Sequence, residues 1–134
     1  MPSARLLLLV PALALAGCDA FGPRECTLDV RPAIEVSIRD AATDEYLAGS
    51  ASGAVTDGAF RDTLRFSRGH SLPGSDGRTV WTALRAADER PGTYRVEVVV
   101  PGYDMWVREG VRVRDGDCHV RTVTLDARLQ RAAR

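Results

Sequence analysis

Between Pro91 and Pro101-Gly102 the chain reads Gly92-Thr93-Tyr94-Arg95-Val96-Glu97-Val98-Val99-Val100. Tyr94, Val96, Val98 and Val100 fall on one side of a two-residue repeat, with Arg95 and Glu97 on the other. A strand with one face on a core and one in water produces this alternation. The flanking Pro-Gly pairs mark its ends as turns.

The same period recurs on both sides. Ile34, Val36 and Ile38 alternate with Glu35, Ser37 and Arg39, and a turn follows over 40–44. Small residues over 45–55 make a weaker strand, closed by Asp57-Gly58. Phe60, Leu64 and Phe66 predict a strand over 60–67, and three Gly, one Pro and two Ser make 68–78 the longest predicted loop. A strand is expected over 79–84, with Val80, Trp81 and Leu84 as core candidates, and a helical turn over 83–89. The stretch 105–113 is interrupted at Glu109-Gly110, Asp115-Gly116 occupies a hairpin position, and a last strand is expected over 118–125. The residues from Asp126 to Arg134 read as a frayed tail. Short strands, turns at intervals of about 8–15 residues and no convincing helix predict an all-β fold: a single seven-stranded antiparallel β-sandwich.

Of the 134 residues, 18 are basic and 18 acidic; every basic residue is Arg, and Asn is also absent. Schiff-base chemistry, a P-loop lysine and Asn-linked glycosylation are therefore excluded. Two histidines, His70 and His119, do not make a histidine metal cage, and balanced charge argues against nucleic acid as a partner. No cofactor is expected.

The N-terminus reads as an address: Arg5, an apolar run over 6–16, then Gly17-Cys18. That run is far shorter than the roughly 20 residues of a membrane-spanning helix. Leu15-Ala16-Gly17-Cys18 resembles the lipobox of bacterial lipoproteins, which implies a signal peptide over 1–17 and acylation of Cys18. Ala14-Leu15-Ala16 also fits an ordinary secretory cleavage; both readings export the protein. With lipid on Cys18, residues 18–25 become the acylated Cys and a short tether containing Gly22 and Pro23. The localisation implied is the bacterial cell envelope, with the membrane as partner through the lipid anchor.

Removing Cys18 from an odd count of three leaves Cys26 and Cys118 as an even pair in an exported chain. A disulfide is expected between them; a thiolate nucleophile or a metal pair is the competing reading, and His119 beside Cys118 is its only support.

Gly92-Thr93-Tyr94-Arg95-Val96, Val100-Pro101-Gly102-Tyr103, Gly110-Val111-Arg112-Val113 and Cys118-His119-Val120 together resemble the carboxypeptidase regulatory-like domain, a transthyretin-like β-sandwich. The resemblance covers residues 26–128 and leaves 129–134 as a flexible tail. It implies a seven-stranded module that accompanies other activities and is not itself an enzyme. The Lys-to-Asn crosslink of the related collagen-adhesin repeats is chemically impossible here.

Several groups carry two readings. His70, Ser71 and Asp76 contain the residue types of a hydrolytic triad, but no nucleophile elbow frames them. Asp115 with Asp117, or Asp40 with Asp44, can ligate calcium or simply form turns. Trp81, Tyr103 and Trp106 make either a ligand platform for a glycan or peptide, or core; parity with Met105 and Val107 turns Trp106 outward unless the break at Glu109-Gly110 shifts the register. Arg108, Arg112, Arg114 and Arg121 make either an anion-binding face or a solvated one. The function expected is a structural or protein-interaction module of the envelope, the alternative a carbohydrate- or peptide-binding module.

Overall fold

The structure, a computed structural model, describes residues 25–133. The signal peptide expected over 1–17, Cys18 and all of the expected tether but Glu25 lie outside the described residues. Those residues are all-β, with ten strands: β1 (Pro32–Asp40), β2 (Ser52–Asp57), β3 (Phe60–Thr63), β4 (Arg65–Phe66), β5 (Ser71–Pro73), β6 (Thr79–Trp81), β7 (Ala83–Asp88), β8 (Gly92–Val99), β9 (Trp106–Val113) and β10 (Val123–Leu129). They form one sheet in the order β10-β1-β7-β4, a second in the order β3-β2-β8-β9, and a two-stranded ribbon of β5 and β6.

The two sheets pack as a sandwich because period-two apolar faces meet. Ile34, Val36, Ile38, Leu84 and Ala86 of the first sheet and Val55, Tyr94, Val96 and Val98 of the second are buried in one cluster. Each fully buried Val, Leu or Ile contributes roughly 1.5–3 kcal/mol relative to exposure. The alternation read in 92–100 and 34–38 is therefore the core itself.

The count departs from seven for three local reasons, the third being β7, which stands apart from β6 where a helical turn is expected. β3 and β4 are separated by Leu64 alone, where the chain leaves one sheet for the other; the Leu64 amide donates to the Gly53 carbonyl at 3.0 Å and its side chain is buried. The stretch 68–78, read as loop, contains β5, which pairs with β6 through Ser71↔Trp81, Leu72↔Val80 and Pro73↔Thr79. The Gly74 amide, donating to the Arg78 carbonyl at 2.8 Å, closes that ribbon.

Three further expectations are corrected. The helical turn over 83–89 is instead β7, held between β1 and β4. Alanine is the best intrinsic helix former, but propensity is a small term that ladder bonds on both sides override. The last strand does not form a hairpin with the 106–113 stretch. It begins at Val123, crosses to the other sheet and runs parallel to β1, from Ile34↔Val123 to Asp40↔Leu129, so the sandwich is mixed rather than purely antiparallel. The tail expected to fray from 126 is strand through Leu129, with Ala127 and Leu129 buried. Beyond it the Asp104 amide donates to the Gln130 carbonyl at 2.9 Å and the Ala132 amide to the Gly102 carbonyl at 3.0 Å.

The interruption at Glu109-Gly110 is a β-bulge. The register runs Tyr94↔Val111 and then Val96↔Arg108, so Arg95 alone faces both Glu109 and Gly110. Gly110 has φ 67°, the left-handed region that glycine enters without steric cost. The extra residue reverses side-chain parity below it. Trp106 consequently pairs with inward-facing Val98 and packs half-buried against the core.

Candidate functional site

At one end of the sandwich the loop after β9 folds back on itself. Asp115 bridges Val120, the Gly116 amide donates to the His119 carbonyl at 2.9 Å, and the Arg121 amide to the Arg114 carbonyl at 2.9 Å. The tight loop presents Cys118 and His119 side by side. Residues 26–31 precede β1 and belong to no sheet. They are held here by the Cys26–Cys118 disulfide, whose Cα atoms lie 5.3 Å apart.

Because Thr27 follows Cys26 and His119 follows Cys118, the crosslink carries both onto one spot. Thr27 Oγ1 lies 3.1 Å from His119 Nε2, and His119 Nδ1 lies 2.7 Å from Glu89 Oε1. Glu89 is the hub of this end. Its carboxylate also accepts from the Arg31 amide at 2.7 Å and the Val120 amide at 3.3 Å, while its own amide donates to the Arg31 carbonyl at 2.9 Å. The Arg31 amide foremost, with His119 and the Val120 amide, holds the Glu89 carboxyl below its ordinary range. Glu89 itself sits at φ 52°, a conformation a non-glycine residue keeps only when its surroundings over-determine it. These groups line an open groove of about 470 Å³, with Leu28 and Val30 on its wall beside Asp29, Asp115 and Asp117. Leu28 is fully exposed.

A second polar centre anchors the chain's end. Asp40 is buried, its carboxylate accepting from the Tyr103 hydroxyl at 2.7 Å and the Ala42 and Thr43 amides at 2.8 and 3.1 Å, with Arg131 at 3.1 Å. The Tyr103 hydrogen bond foremost, then the two amides and the Arg131 charge, lowers its pKa to about 2. A carboxyl whose pKa is lower folded than unfolded stabilises the fold above its unfolded value, and that contribution is lost as pH falls through the folded one. Stability should therefore hold from pH 7 to about 5 and fall as Asp40 protonates between its ordinary 3.8 and about 2. Urea midpoints measured against pH would show this, and Asp40→Asn should flatten the acid limb.

The remaining sequence candidates are dispersed. Trp81 stacks on Phe66 with centroids 4.5 Å apart, Tyr103 is engaged by Asp40 and lies under Arg131, and Trp106 faces the core. Among the described residues no ring pair joins Trp81 to Tyr103 or Trp106. His70 pairs with Glu35 at 3.1 Å and Asp76 with Arg78, so His70, Ser71 and Asp76 form no relay. Asp40 and Asp44 serve different partners, Asp44 bridging Arg39 and Arg128. No group of three or more acidic, His or Cys side chains among the described residues is placed to hold a metal. Arg108, Arg112, Arg114 and Arg121 are exposed on β9, an edge strand, and its loop; the bulge puts Arg108, opposite Val96, on the other side of the sheet from Arg112, opposite Thr93, so the four do not share one face.

The sequence does not single out Glu89, which falls at the end of the helical turn expected over 83–89. The signal for the other two was present: each of the paired cysteines is followed by a residue with a polar side chain. No family model and no curated protein matches the chain.

Proposed function

We propose that the protein is a lipid-anchored module of the bacterial cell envelope, acylated at Cys18, that acts through interaction with an envelope partner rather than by turnover. The observation that carries this reading is the position of the disulfide. Cys26 is the point at which the chain leaving the anchor is fastened to the sandwich, and its partner Cys118 closes the loop before the last strand. A pull on the anchor then enters the fold through a covalent link and not through the frayable start of β1. Seven residues, 19–25, separate Cys18 from Cys26, a reach of at most about 25 Å, so the domain is held beside the membrane. Among the described residues no helix is long and apolar enough to cross a membrane, and the attachment proposed is the lipid.

The finer fold assignment belongs to the same proposal. Counting β3 and β4 as one strand that changes sheets, and setting the β5–β6 ribbon aside as an insertion, leaves seven strands, the number in a carboxypeptidase regulatory-like sandwich. Incorporation of labelled palmitate tests the anchor. Label should enter the wild-type chain and be lost in Cys18→Ala; equal labelling of both would overturn the assignment of Cys18.

A further inference from the structure

Hydroxyl, imidazole and carboxylate stand in line at the disulfide end, and the distances are those of an activated nucleophile. We propose that Thr27 is an acyl-acceptor site: its hydroxyl, with His119 as base and Glu89 as the positioning residue, takes an acyl group from a reactive carboxylic ester bound in the groove. This goes beyond the anchored-module reading and does not depend on lipid at Cys18. It requires one covalent event per chain and no turnover.

Three independent observations converge on it. Nucleophile to base is 3.1 Å and base to orienting carboxylate 2.7 Å, both within the range in which an imidazole can take a hydroxyl proton. Glu89 holds a left-handed backbone conformation to place that carboxylate, and two backbone amides fix it further. The Thr27 side opens to solvent through the groove while His119 is only 15% exposed, so a substrate reaches the hydroxyl and the base stays sheltered. Leu28 and Val30 give the acyl chain an apolar wall.

The step balances within these groups. Thr27 Oγ forms a bond to the ester carbonyl carbon as its proton moves to His119 Nε2; the imidazolium, steadied by Glu89, then protonates the departing alkoxide as the original C–O bond breaks. The product is an ester on Thr27 and a free alcohol. The disulfide is part of the site because it alone ties residues 26–31 covalently to the loop carrying His119.

The same contacts also fasten the N-terminal segment, and a fastening alone would leave the hydroxyl unreactive. The test uses the full chain in detergent with p-nitrophenyl acetate as probe, read by nitrophenolate release and by mass mapping of the acetylated peptide. The proposal expects release of one equivalent per chain, with the acetyl group on Thr27. Thr27→Ser should retain labelling and Thr27→Val abolish it. Glu89→Gln should slow it by up to roughly 10⁴-fold, the scale of losing the carboxylate that orients a catalytic imidazole. Intact mass without reductant checks that each variant keeps its disulfide. Absence of a burst, acetyl groups only elsewhere, or equal labelling of a disulfide-intact Thr27→Val would overturn the proposal; palmitate incorporation at Cys18 is read separately and is untouched by any of these results.

Discussion

Replacing Cys26 and Cys118 together with Ser is expected to lower the unfolding free energy by roughly 4–5 kcal/mol, the largest single loss in this fold. The cysteines are 92 positions apart, so the crosslink closes nearly the whole domain into one loop and removes that freedom from the unfolded chain. At about 3–6 °C per kcal/mol for a domain of this size, the melting temperature should fall by roughly 20 °C. The native sheets should persist, because neither cysteine lies in a strand. Urea unfolding should also steepen slightly, since an uncrosslinked chain exposes more surface. A loss below about 1 kcal/mol would show that residues 26–31 detach readily in the native state, contrary to a staple.

Tyr94→Ala should cost about 3–5 kcal/mol, in the range for removing a large aromatic from a core. Tyr94 is wholly buried in β8, edge-on to Phe60 at 6.2 Å between centroids. Its hydroxyl donates to the Arg90 carbonyl at 2.8 Å and accepts from the Arg90 guanidinium at 2.9 Å. Arg90 in turn pairs with Asp57 at the end of β2 and covers the Phe60 ring at 4.0 Å. Tyr94→Phe keeps the ring and removes those bonds, so it should cost only about 1 kcal/mol. Denaturant melts of the two variants separate ring packing from the hydroxyl; equal losses would mean that the Arg90 cluster, and not the ring, secures this corner.

The parts of the fold that the sequence displays are those where one strand carries its own pattern. The 92–100 alternation and Ile34, Val36, Ile38 needed no partner to be read, and both are core strands. Pairing across the molecule is not written locally. Nothing in 123–129 announces a parallel partner in β1, and its outward Arg128 and Asp126 made a buried strand resemble a tail. Ala83–Asp88 carries a composition that serves helix or strand alike, and its neighbours on both sides decide. The bulge at Gly110 was visible as a break, but the direction in which it turned Trp106 follows from a register that only pairing fixes. At the site, the cysteine count indicated the crosslink, but the meeting of Thr27 with His119 follows from the folded loop. Glu89 arrives from a different strand end, through a left-handed backbone turn that its own residue type does not favour.

Intact mass of the membrane-extracted protein, with and without reductant and with thiol alkylation, reads the anchor and the staple together. The expected result is a chain beginning at Cys18 and carrying acyl chains, in which Cys26 and Cys118 take up alkylating reagent only after reduction. A chain without acyl groups would contradict the anchored module, and two thiols alkylated before reduction would contradict the staple that joins the anchor to the fold.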